Sequence, residues 1–218
     1  MYCINFLEKN IEWLRINLEK HKGKYFIFDT PGQIEIFTLS DSFKAILSFI
    51  TNEKKGMGIR LCAVNLIESN NLLDLPKYIF SILSVLNSMI MLELPQVNII
   101  SKADLLKEFG ELPFDLGFYK NPADDEKIKF YLDEANLNPK FKALNKRISE
   151  FVIEHGLVGF SILDVKNQKL LNKIMSQIDS ASGYIYSDSG PQKEEKYVEI
   201  RNVIAKQDIA FDDDDEYN

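Results

Sequence analysis

The chain is poor in the residues that most readily betray a chemistry. Its 218 residues hold two cysteines, Cys3 and Cys62, and two histidines, His21 and His155. Two thiols are too few for a disulfide framework, neither stands in a metal-ligand pattern, and two imidazoles argue against a histidine-built metal centre. Long apolar runs are missing too. The longest, Tyr78 to Leu94, is interrupted by Ser81, Ser84, Asn87, Ser88 and Glu93, so no membrane span is expected. The opening MYCINFLEKN has neither the basic stretch nor the cleavage site of a secretory leader. Clustered Lys and Arg are absent: the net charge is −7, and residues 183–218, with 4 basic and 10 acidic side chains, carry nearly all of it. The body lacks the electrostatic footprint of a nucleic-acid binder. These absences read together as a soluble chain of a reducing compartment, cytoplasmic or nuclear, with neither nucleic acid nor membrane as partner.

What is present is an ordinary core-forming composition, 45% hydrophobic and 27% charged. Ile4, Leu7, Ile11, Leu14 and Leu18 recur at spacings of 3 and 4, which predicts one amphipathic helix with a buried face, ended by a cap at Gly23. Four apolar runs follow: Tyr25–Phe28, Leu61–Ile67, Val97–Ile100 and Val158–Leu163. Continuous rather than alternating apolar residues suit strands covered on both faces of a parallel sheet. Helical patterns separate them, at Ser40–Thr51, Lys77–Leu92 and Phe141–Glu154, and a last one covers Asn167–Ala181. This alternation predicts an α/β fold, a mostly parallel sheet flanked by helices. Residues 1–182 form the domain, with an insertion at about 105–138 carrying one short helix near Glu126–Ala135, and 183–218 form an acidic tail that ends in Asp212–Glu216. Met89, Met91, Phe80 and Phe151 read as core fillers.

Two turns carry the chemistry. Asp29-Thr30-Pro31-Gly32-Gln33 directly follows the first apolar run. A carboxylate at the carboxyl end of a parallel strand lies at the edge where such folds bind ligands. In P-loop nucleotide hydrolases an Asp in this position is linked to Mg²⁺, and a nearby glycine offers its N–H to the γ-phosphate, where any side chain would block approach. The same five residues also make an ordinary turn. Ser101-Lys102-Ala103-Asp104 follows the third run and is similar to the N/T-K-x-D motif of GTPases, with Ser in place of the usual Asn. There the Asp accepts from the guanine N1–H and amine, and the Lys stem packs along the base. The two turns together favour a guanine-nucleotide fold over an adenine-using relative, which would have no use for Lys102 and Asp104.

YFIFDTPGQIEIFT at Tyr25–Thr38 and ELPQVNIISKADLL at Glu93–Leu106 resemble the GPN-loop GTPase family, as do NIEWL at Asn10–Leu14 and SGYIY at Ser182–Tyr186. The resemblance covers nearly all of residues 4–186 and, among the three eukaryotic paralogues, is nearest to the second. It implies GTP hydrolysed to GDP with Mg²⁺, in a dimer with itself or a paralogue. It further implies a role in RNA polymerase II assembly and nuclear import, with polymerase subunits or assembly factors as partners and shuttling from cytoplasm to nucleus. Carried over, Asp29 is the Mg²⁺-linked carboxylate, Gly32 the γ-phosphate contact, Gln33 and Glu35 the residues placing water, and Ser101, Lys102 and Asp104 the guanine site. A third base-contacting loop falls near Ser161–Val165. The 218 residues contain neither G-x-x-x-x-G-K-[ST] nor Gly-Pro-Asn; the sole Gly-Pro, Gly190-Pro191, precedes Gln192. The expectation is therefore a truncated record lacking the first strand and P-loop, roughly 70 to 100 residues of βα units. Those residues alone would fold poorly, with two unpaired buried sheet edges, and would be inactive as a GTPase. The alternative is a natural non-enzymatic paralogue that acts as a protein-binding module.

Overall fold

The structure is a computed structural model; it describes residues 2–33, 36, 40–106, 112–120, 125–134, 138–155 and 158–184. Glu35 and all of the tail beyond residue 184 lie outside the described residues. Three parallel strands, β1 (Ala63–Glu68), β2 (Gln96–Ser101) and β3 (Ser161–Ile162), form one sheet in the order β1-β2-β3. Glu68 stands beside Ser101 in the β1–β2 register, and Ile100 beside Ile162 in β2–β3, so the three carboxyl ends are level. Helices flank the sheet: α1 (Tyr2–Lys9), α2 (Ile11–Glu19), α3 (Asp41–Thr51), α4 (Leu75–Leu92), α5 (Leu116–Lys120), α6 (Asp125–Glu134), α7 (Pro139–His155) and α8 (Gln168–Ala181). The expected α/β class is what the chain adopts.

The caps explain where several helices start. Ser40 Oγ accepts from the Phe43 N–H at 3.3 Å before α3, and Asn167 Oδ1 accepts from the Lys169 and Leu170 N–H groups before α8. Each bond satisfies a donor that the first turn of a helix leaves open. Pro76 stands in the first turn of α4, where its missing N–H costs nothing. At 18 residues α4 is long and apolar enough to cross a membrane by length and composition alone. Here Leu75, Tyr78, Ile79, Ile82, Val85 and Leu86 turn one face of it into the core.

That core is centred on Tyr78. Its ring meets Tyr119 edge-on at 5.0 Å and lies near Phe118 and Phe160. The Tyr78 hydroxyl donates to the Tyr119 carbonyl at 3.0 Å, and the Tyr119 hydroxyl donates to the Leu72 carbonyl at 2.9 Å. Buried phenols need such partners, because an unpaired hydroxyl would lose its hydration without return. Burial pushes both phenol pKa values far above their ordinary range. The segment between β2 and α7 thus supplies two helices where its sequence suggests one. Leu116, Phe118, Tyr119, Ile128 and Leu132 from it join the core.

Several local features differ from what the sequence suggests. The N-terminal helix is two, broken at Asn10, whose side-chain amide donates to the Phe6 carbonyl at 2.8 Å in competition with helix continuation. Its apolar stripe is only half-buried, and just Leu18 is fully covered. The second helix ends on Lys20, with Gly23 at φ +83° closing the turn beyond instead of capping. Tyr25–Phe28 is no strand: among the described residues nothing pairs with it, and Ile27 is 85% exposed. A strand exists only through its neighbours' hydrogen bonds, and among the described residues no strand offers them to this run. On one face of β1 the alternate residues Val64 and Leu66 are exposed. Phe80 and Phe151 are surface residues, since each falls on the outward side of its helix; Phe80 is 69% exposed.

Candidate functional site

The level carboxyl ends of the strands converge on the turn after β2. Ser101, Lys102 and Asp104 sit there together, and β1 grips the turn from one side. Ser101 Oγ donates to the Ile67 carbonyl at 2.9 Å, Ser69 Oγ donates to the Lys102 carbonyl at 2.8 Å, and Lys102 Nζ pairs with Glu68 Oε1 at 2.5 Å. From the other side the Ala103 N–H donates to the Leu163 carbonyl at 3.1 Å, just past β3. Ser69 and Ala103 are buried, so the floor of the turn is packed while the side chains of Lys102 and Asp104 face outward. Ser101, which departs from the usual Asn, makes its supporting bond to the strand next door.

Lys102 has φ +60° and ψ +38°, the left-handed region that a residue with a Cβ enters at about 1–2 kcal/mol. Strain of this kind survives only where the surroundings impose it, and it gathers at ligand sites. The Lys102 side chain is exposed and reaches Glu68 at the end of the neighbouring strand. Asp104 receives Lys166 Nζ on Oδ2 at 2.9 Å. That hydrogen bond, with the ammonium's charge, holds the Asp104 carboxyl below the usual carboxylate range. Two exposed ion pairs thus bracket the turn, Glu68–Lys102 and Lys166–Asp104.

The Asp29–Gln33 turn is a different case. Asp29, Gly32 and Gln33 are exposed in a segment without strand pairing, and among the described residues no hydrogen bond or ion pair joins them to the Ser101–Asp104 turn. A Cβ built on Gly32 would meet nothing within 4 Å. Just before it, Tyr25 packs edge-on against Tyr184 at 5.8 Å and hydrogen-bonds Asp179. Burial raises the Asp179 pKa, and that hydrogen bond only partly offsets it. Arg60 Nη1 donates to the Gly183 carbonyl at 2.8 Å, so the first residues of the acidic segment are anchored beside β1.

Glu68, Ser69 and Lys166 are absent from any reading of the motifs. Glu68 and Ser69 could have been found by pairing the two strands in register, which puts the end of β1 against the end of β2. Lys166 lies one residue beyond the loop expected to contact the base.

Comparison with known proteins gives a consistent result. Residues 1–184 match a family model described as a conserved hypothetical ATP binding protein. The chain is 36% identical over 188 residues to GPN-loop GTPase QQT1 of Arabidopsis thaliana, covering 86% of this chain and 62% of that protein. It is 33% identical over 192 residues to GPN-loop GTPase 2 of Xenopus tropicalis, covering 87% and 61%. It is 36% identical over 203 residues to GPN-loop GTPase 3 of Yarrowia lipolytica, covering 92% and 71%. The chain therefore spans about three-fifths of the length of the first two of these relatives. A family model matched over residues 1–184, together with relatives 33–36% identical over most of the chain, has one reading: the chain belongs to the GPN-loop GTPase family.

Proposed function

We propose that this protein is a GTPase whose base site is the Ser101–Asp104 turn. One observation carries the reading: an outward-facing carboxylate and a Lys in a strained conformation, fixed by neighbouring strand ends at the ligand-binding edge of the sheet. Asp104 would accept from the guanine N1–H and 2-amino group, two donors that adenine does not present together. The Lys102 stem would lie along the ring. Although the family model carries an adenine nucleotide in its description, this pair favours guanine.

Mg²⁺ keeps several of its waters and commonly takes one or two carboxylates plus phosphate oxygens, so the single exposed Asp29 carboxylate is a chemically adequate protein contribution. When bound, the ion would neutralise charge developing on the phosphates. Gly32 would donate its N–H to the γ-phosphate, and Gln33 and Glu35 would orient the attacking water. The phosphate cradle is not encoded in these 218 residues, so these residues alone should not turn over nucleotide. A dimer with itself or a paralogue, service to RNA polymerase II subunits or assembly factors, and movement between cytoplasm and nucleus belong to the same proposal. They rest on the family resemblance.

A second reading, a protein-binding module without turnover, is favoured by the apolar Val64 and Leu66 exposed on one face of β1. Hydrolysis of radiolabelled GTP and ATP by the natural protein isolated from cells separates the two. GTP turnover that excess ATP does not suppress supports the GTPase; turnover of neither nucleotide, with nucleotide-independent capture of a protein partner, supports the module.

A further inference from the structure

Asp104 is already occupied by a residue of the chain itself. Lys166 Nζ donates to Asp104 Oδ2 at 2.9 Å from a loop that is otherwise fixed. Its own N–H donates to Asp164 Oδ1 at 2.8 Å, the Asn167 N–H donates to the Asp164 carbonyl at 3.0 Å, and Asn167 then caps α8. The backbone under Lys166 is held while its side chain stays 81% exposed, against 27% for Asp104. A carboxylate recognises guanine through both oxygens, one for N1–H and one for the amine. An ammonium on Oδ2 presents the same kind of donor to one of the two oxygens the base would use, so base and Lys166 compete. Displacement is cheap, because the pair is exposed to solvent and its charges are screened.

We propose that Lys166 is a stand-in for the nucleobase, occupying the base-reading carboxylate in the empty protein and leaving when guanine enters, so that it sets the affinity of the site. This deepens the guanine reading above and rests on it. The sign of its effect is diagnostic. A residue that merely positions Asp104 would weaken guanine binding when removed, whereas a competitor strengthens it.

The test titrates GDP, IDP and ADP into the natural protein isolated from cells and its Lys166→Ala and Lys166→Arg variants, with ligand-observed NMR as readout. Lys166→Ala should tighten GDP binding by up to about fivefold, the factor equivalent to the upper value for an exposed pair. IDP, which lacks the 2-amino group and so one bond to Asp104, should gain less. ADP should not change, and Lys166→Arg should behave as the parent does. Because Lys166 is exposed, unfolding of the variant is not expected, and a thermal melt verifies it. GDP binding that is unchanged or weaker in Lys166→Ala overturns the proposal while leaving the guanine reading intact. A parent chain that binds GDP no better than ADP overturns the guanine reading, and this proposal falls with it.

Discussion

Replacing Asp104 with Asn should remove the preference for guanine over adenine nucleotides almost entirely. The carboxylate offers two acceptors to two base donors, and hydrogen bonds to a charged group contribute about 1.5–3 kcal/mol each. Asn keeps the shape, but puts an NH₂ where an acceptor was, so one bond is lost and a donor is turned on a donor. The expected loss in the GDP-to-ADP affinity ratio is on the order of a hundredfold, with ADP affinity itself little changed. The fold should tolerate the change, since the Asp104 side chain is not in the core and its ion pair with Lys166 is exposed. A competition assay with the two nucleotides reads the ratio directly. A ratio within threefold of the parent's would remove Asp104 from base recognition.

Stability depends on a different place, and Tyr119→Ala should show it. Tyr119 is fully buried, packs edge-on against Tyr78, accepts from it through its carbonyl and donates its hydroxyl to Leu72. Truncation would open a cavity the size of an aromatic ring and leave the Leu72 carbonyl unpaired. Large aromatic deletions of this kind cost about 3–5 kcal/mol, a large share of the ~5–15 kcal/mol that holds an ordinary domain. Phe80→Ala, on the outer face of α4, should stay within about 0.5 kcal/mol because that ring is already in water. Urea unfolding of the two variants and the parent provides the comparison. Equal losses would contradict the assignment of the core to the inner face of α4 and the segment carrying Tyr119.

How much of this could be read from sequence depends on how local each feature is. The strand at Val97–Ile100 and the turn after it are local, an apolar run followed by a compact polar motif, and both stand where expected. Helix α4 is local as well, by periodicity, yet Phe80 departs from its composition: its aromatic character suggests burial, while its angular position on the helix puts it outside. The run Tyr25–Phe28 has the composition of a buried strand, but a strand is defined by partners distant in sequence, and those hydrogen bonds are not written in its own four residues. Glu68 and Lys166 were invisible for the same reason. They stand 34 and 62 positions from Lys102 and Asp104. Only the level ends of three parallel strands bring them to the turn, where they settle its electrostatics.

The central claim is that the carboxyl ends of β1, β2 and β3 build the site that reads the nucleobase. Backbone amide chemical shifts of the isotope-labelled chain, recorded with and without GDP, test it most directly. Changes should concentrate at Ser101–Leu105, with companions at Glu68 and Ser69 and at Asp164–Asn167. Changes confined to another concavity, such as the hollow of about 490 Å³ lined by Pro113, Phe114, Lys127, Phe130 and Tyr131, with the Ser101–Leu105 amides unmoved, would contradict it.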